Sequence, residues 1–160
     1  NDFDTTTEGI DLVASYSTEM LGGVTDFTFV FNETETEVDK STLLSANRIG
    51  SLEALLPETR WNLTAVHNVG DYTILARYMH VGESDYYDFP DIVELDSQSQ
   101  LDIEVTQDFG NIAVTIGAEN ITDEYPEKDT GVTCCGAVYP EFAPLGFMGA
   151  FYYLRLGMEF

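Results

Sequence analysis

At 160 residues the chain is long enough for one domain with a sizeable core, and 44% hydrophobic content with nine Tyr and ten Phe excludes a disordered acidic polypeptide. A formal charge of -23, from 29 Asp and Glu against six Lys and Arg, excludes nucleic-acid binding, because that affinity comes from cations displacing condensed counterions. No run of about eighteen apolar residues exists, so no transmembrane helix is expected, and the opening NDFDTTTEG resembles no signal peptide, which puts any export signal upstream.

The hydrophobic period along the chain is two, over segments of eight to twelve residues. Seven strands are expected, at 9–20, 24–32, 59–69, 72–81, 99–108, 111–121 and 149–160. Their connections alternate: 21–23 is short, 33–58 long, 70–71 short, 82–98 long, 109–110 short and 122–148 long. All short turns therefore fall at one end, as in bacterial outer-membrane barrels, where tight turns face the periplasm and long loops face outside.

Each strand has one greasy side. Trp61, Leu63 and Ala65 oppose Asn62 and Thr64; Tyr72, Ile74, Ala76 and Tyr78 oppose Thr73 and Arg77, with Leu75 on the polar side. Leu101, Ile103 and Val105 oppose Gln100, Asp102, Glu104 and Thr106, and Ile112, Val114, Ile116 and Ala118 oppose Ala113, Thr115, Gly117 and Glu119. In the last segment Tyr152, Leu154, Leu156, Met158 and Phe160 share a side against Tyr153, Arg155, Gly157 and Glu159.

A soluble sandwich alternates too. Segment length favours a membrane barrel, being close to the roughly 9 to 11 residues that cross a bilayer at a tilt. Trp61, Tyr72, Tyr78 and Tyr152 fall near strand ends, where interfacial aromatics belong. The expected fold is an all-β antiparallel transmembrane β-barrel of which these are the last seven strands. A sheet edge cannot stand open in hydrocarbon, and an odd strand number leaves the two termini on opposite sides, so further strands are expected before residue 1.

No catalytic constellation emerges, and no enzyme activity or cofactor is expected. His67 and His80 lie on the outward side without a carboxylate or Cys at ligand spacing, so an interfacial structural role is expected and metal ligation is not. Cys134 and Cys135 are adjacent, which fits neither a CxxC motif nor a zinc site. Arg77 and Arg155 share the inner side with Asp102, Glu104, Glu119 and Glu159, and a ladder of salt bridges is expected there. Glu83, Asp85, Asp88, Asp91, Glu94 and Asp96 make 82–98 acidic; EF-hand spacing is absent, so a solvated loop is expected over a cation site. Tyr86, Tyr87, Phe89 and Tyr139 are the aromatic candidates for ligand contact in the outer loops.

The last forty residues carry a family likeness. Asn120, Ile121, Asp123 and Tyr125 follow the phrase that ends the penultimate strand of TonB-dependent outer-membrane receptors, with Ile in place of Leu. Pro144, Gly146, Phe147 and Gly149 match the phrase before that family's aromatic final strand. Tyr152, Leu154, Leu156, Met158 and Phe160 resemble the insertion signal read by barrel assembly machinery. The resemblance implies a barrel of about 22 strands filled by an N-terminal plug. It also implies substrate bound outside, and import of a scarce nutrient such as a ferric siderophore, vitamin or oligosaccharide driven by the TonB complex through the plug. These residues would be wall and part of the binding loops; the plug and earlier strands lie outside them. Two other readings remain: a passive porin or small anchoring barrel, and a secreted acidic β-sandwich binding module.

Overall fold

The computed structural model describes residues 3–88, 91–128, 136–140 and 142–159, and among these the side chains of 3, 86–88 and 91 are excepted. Nine strands and one helix follow each other as β1 (Phe3–Met20), β2 (Gly23–Ser41), α1 (Ala46–Ala54), β3 (Thr59–Val69), β4 (Tyr72–Val81), β5 (Ser84–Asp88), β6 (Asp91–Leu95), β7 (Gln98–Asp108), β8 (Ile112–Glu119) and β9 (Phe151–Met158). Seven of them form one antiparallel sheet in the order β1-β2-β3-β4-β7-β8-β9, while β5 and β6 pair separately. Every neighbour in the large sheet is also the next sheet strand in sequence, so the path is an up-and-down meander. The sheet is open: β1 and β9 are its edges, and neither has a second partner among the described residues.

Strands β3 and β4 occupy the expected residues, 59–69 and 72–81. Three differences from the sequence expectation have local causes. First, β2 runs on to Ser41 because Thr34–Ser41 pair with the start of β1, so the hairpin overhangs the other strands by roughly 25 Å at about 3.3 Å per residue. Polar cross-strand bonds hold that overhang, with Thr7 and Thr36 hydroxyls 3.0 Å apart and the Thr6 hydroxyl donating to Asp39 at 2.5 Å. Second, 33–58 is not one loop. Helix α1 forms behind Ser45, whose hydroxyl accepts from the Arg48 N–H at 3.3 Å as an N-cap, and Glu53 takes the Val38 N–H at 2.9 Å, fastening the helix to β2. Third, 82–98 is folded into the β5-β6 hairpin.

Register welds the seven strands into two unlike faces. One row crosses the sheet as Tyr16, Phe27, Ala65, Ala76, Ile103, Ala118 and Tyr152, and the next as His67, Ile74, Val105, Ile116 and Leu154. A slip of one residue in any strand would turn its apolar side chains to the other face, so six pairings agree on a single apolar surface. Aromatics gather toward its long-loop end: Trp61 packs against Phe29, Tyr78 and His80 with ring centroids 6.2, 5.4 and 5.3 Å apart.

This surface is bare. Ile116 is 65% exposed, Leu154 65% and Leu156 69%, while the buried hydrophobic residues are only Val81, Leu95 and Ala118 among the described residues. The described residues expose 10833 Å², against about 8000 Å² for a compact monomer of 17.8 kDa. A domain normally packs two layers around a core; here one layer stands alone. No described helix is long and apolar enough to cross a membrane, which leaves crossing by strands untouched.

Candidate functional site: the polar face and the loop-side cavity

The face opposite the apolar surface brings together the charges predicted to share it. Arg77 on β4 reaches Asp102 on β7, its Nε and Nη2 donating to Oδ2 at 3.1 and 2.7 Å. The other oxygen of Asp102 accepts the Asn120 N–H at 2.9 Å, so this 5%-exposed carboxylate is satisfied on both sides. One rung along, Glu104 accepts from the Tyr153 hydroxyl at 2.8 Å and from Arg155 Nη2 at 2.6 Å. Tyr153 lies across Gly117, where a Cβ would run into its ring, and Arg155 sits 5.8 Å over that ring. Thr106 and Thr115 close the row with hydroxyls 2.8 Å apart. The expected ladder is present, with a small recess of about 140 Å³ between Arg77, Glu104, Glu119 and Tyr153. Glu159 stands exposed at the end of β9.

Both histidines sit on the apolar face as expected, and each has a hydroxyl partner there. His67 Nδ1 is 2.8 Å from Thr25 Oγ1, and His80 Nδ1 is 2.9 Å from Ser99 Oγ. A cross-strand hydroxyl thus satisfies one polar atom of each imidazole on an otherwise greasy surface.

The Asn120 to Tyr125 phrase proves to be a clasp. Asn120 is 3% exposed and left-handed at φ 49°; its amide donates to the carbonyls of Glu124 at 2.8 Å and Met148 at 3.1 Å, and its carbonyl accepts the Glu124 N–H at 3.1 Å. Asp123, also left-handed at φ 56°, accepts the Ala150 N–H at 2.8 Å. The Tyr125 hydroxyl is bonded to Asp123, which raises its pKa above the usual tyrosine value because donating to a carboxylate favours the neutral phenol. Gly149 is where these groups converge: a Cβ there would overlap both the Tyr125 ring and the Asp123 carboxylate. The two motif phrases therefore join the end of β8 to the approach of β9, and Gln100 adds a bond to the Leu145 carbonyl at 3.3 Å.

Tyr139, one of the ligand-contact candidates, stacks on Tyr125 with centroids 5.4 Å apart and planes 16° apart. Tyr86 and Tyr87 lie on β5, but their side chains fall outside the description, as do Phe89, Cys134, Cys135 and Phe160 altogether. The remaining insertion-signal residues, Tyr152, Leu154, Leu156 and Met158, are 59–69% exposed along β9.

A feature absent from the sequence reading is a cavity of about 590 Å³ where α1, the start of β3 and the β5-β6 hairpin meet. Glu58, Glu83, Asp85, Glu94 and Asp96 line it. It forms because the Gly82 N–H bonds the Thr59 carbonyl at 2.8 Å, bringing Glu58 next to the hairpin, while the hairpin register sets Asp85 against Glu94. No described group of three or more His, Cys, Asp or Glu is arranged to hold a metal ion.

Comparison of the chain with protein-family models, curated proteins and solved structures found no match.

Proposed function

We propose that this chain is part of the wall of a β-barrel in a bacterial outer membrane, and that the barrel is a TonB-dependent receptor for uptake of a scarce nutrient. The observation that carries the reading is the continuous apolar face, with exposed hydrophobic residues on six of the seven strands and half-buried Phe27, Phe29 and Phe31 on β2, backed by a charged and hydrogen-bonded face. In water an apolar surface of this extent is an aggregation liability. Against lipid it is the favourable state, while the Arg77 and Arg155 ladder suits a hydrated lumen. An overhanging hairpin rich in Thr, Glu and Asp at the long-loop end fits the aqueous exterior.

The reading requires the free edges of β1 and β9 to pair with further strands, since each unpaired backbone group in hydrocarbon costs several kcal/mol. The receptor assignment is finer than the barrel and rests on the motif phrases at Asn120–Tyr125 and Pro144–Gly149, to which the clasp gives a common structural reason. On this reading β9 meets the barrel assembly machinery, the apolar face meets outer-membrane lipid, and energy comes from the TonB complex through a plug. A passive porin or small anchoring barrel would share the wall and differ in needing no energy.

The test is extraction of the protein from outer membranes, followed by electrophoresis with and without boiling and by uptake measurements in energised and uncoupled cells. The reading expects a faster-migrating unboiled band and uptake abolished by uncoupling. Recovery of a monodisperse protein from the soluble fraction without detergent would overturn the barrel and return attention to the sandwich. A heat-modifiable protein whose solute flux ignores uncoupling would overturn the receptor in favour of the porin.

A further inference from the structure

We infer that bilayer hydrocarbon meets the apolar face as an oblique belt, descending from the long-loop end of β1 toward the short-turn end of β9. Thr18, Thr25 and His67 then lie at headgroup level, while Ile116 and Leu154, in the same register row, lie among acyl chains. This rests on the wall reading and deepens it by stating where the lipid partner touches.

Register puts all seven strands on one scale, in rows two residues apart on each face. At the long-loop end the apolar run of β1 stops at Ile10, with Glu8 beyond it. On β2 and β3 it stops one row lower, at Phe31 and Trp61, with Glu33 and Thr59 beyond. On β4 and β7 the limit is a further row down, at Tyr78 and Leu101, followed by His80 and Ser99. On β8 and β9 it drops once more, to Ala118 and Tyr152, where the strands give way to the clasp.

The border at the short-turn end moves the same way. Tyr16, Phe27 and Ala65 share a row, and the next row is Thr18, Thr25 and His67, with Met20 and Val69 beyond it beside the turns. On β7 Val105 lies one row past Ala65 before Gln107 interrupts. On β8 and β9 the apolar run continues to Ile112 and Met158, three rows past Tyr16.

Both borders therefore shift by three rows between β1 and β9. Three rows of two residues at about 3.3 Å, over six strand spacings of about 4.8 Å, correspond to a tilt of about 35°. Strands cross an outer membrane at roughly 35 to 45°, and here that inclination follows from side-chain chemistry alone. Four apolar rows on β1, β8 and β9 span about 20 Å along the normal at this tilt, a thin hydrocarbon layer such as the outer membrane offers. A covering layer of protein would set no such pair of parallel borders.

The belt also accounts for the histidines. His80 lies just outside its upper border and His67 just outside its lower one, each bonded to a hydroxyl of the neighbouring strand, Ser99 and Thr25. An imidazole among acyl chains would be costly, whereas at headgroup level water can satisfy the second ring nitrogen.

The experiment is equilibrium folding of the whole protein into dilauroylphosphatidylcholine vesicles across a urea series, with Lys placed on two register rows. Thr18 and Ile116 share one row; Leu12 and Ser99 share the other. The inference expects a crossed pattern: Ile116→Lys and Leu12→Lys each lower the folding constant about 30-fold or more, and Thr18→Lys and Ser99→Lys less than about tenfold. Should a Lys variant fail to fold, Gln at the same positions is a milder change and should keep that order. Losses equal within each row, or crossed the other way, would overturn the inference and leave the wall reading standing. Losses below about tenfold at all four positions would overturn both.

Discussion

The two faces of the sheet are made of the same seven strands, yet they solve opposite problems. On the apolar face Ile116 and Leu154 stand open with nothing of this chain upon them. Across the sheet, Asp102 is 5% exposed and has both carboxylate oxygens bonded, Oδ2 to Arg77 and Oδ1 to the Asn120 backbone. Exposed hydrocarbon and buried charge in one layer invert the usual inside and outside. On the proposed reading the solvent of the apolar face is not water, and the polar face is the one organised by specific contacts.

The largest effect that would break this comparison comes from a charge placed on the bare face. In water, Ile116→Lys at a 65%-exposed position should be nearly neutral; in a bilayer it should cost about 2 to 4 kcal/mol. Thr64→Lys on the polar face should cost about 1 kcal/mol or less in both. Equilibrium folding into phospholipid vesicles across a urea series measures both, and equal costs would dissolve the distinction between the faces.

Next is the ladder. Asp102→Ala strands Arg77 and the Asn120 N–H together, and because the Arg77 side chain is 44% exposed, water recovers part of the loss. The expected destabilisation is about 1 to 2 kcal/mol, read from the same urea series. Arg77→Met combined with Asp102→Leu should recover part of it if the pair mainly fixes register, and none if the lumen requires the charges.

A smaller effect sharpens the contrast between wall and loop. Gly149→Ala forces Tyr125 and Asp123 aside, at about 1 kcal/mol, and should loosen the connection after β8 while leaving the strands intact. Limited proteolysis should cut the variant within 122–150 faster than the parent, with the strand pattern unchanged by circular dichroism.

The smallest concerns Tyr125 itself. Its pKa is raised in the folded state by the bond to Asp123, so the folded state holds the phenol proton more tightly than the unfolded one. The stabilisation is therefore complete below the unfolded value near 10 and disappears as pH rises through the folded value. Tyr125→Phe should flatten that part of the melting-temperature profile as pH rises above about 10; a parallel profile would deny the bond.

Much of the sheet was legible because alternation was bounded by turns. Gly70-Asp71 and Gly82 bracket β3 and β4, and both strands matched to the residue. Beyond Asn32 the alternation of β2 becomes Thr against Glu, which carries no hydrophobic period, so its overhang was read as loop. Helix α1 had its signals in Ser45 and in Ile49, Leu52 and Leu55, but Asn47 and Gly50 weakened them. The ladder could be anticipated from parity, which tells the face but not the partner; register supplied Arg77 opposite Asp102. No sequence signal joined Glu58 to Glu94 and Asp96, because only the β3-β4 pairing and the hairpin bring them together.

The single tryptophan gives the most direct measurement of the central claim. Trp61 lies on the apolar face in its aromatic cluster, so its fluorescence reports what touches that face. With the protein folded into vesicles containing brominated lipids, the account predicts strong quenching by bromines in the upper acyl chain and little by aqueous iodide. Emission quenched by iodide and indifferent to brominated lipid would contradict it.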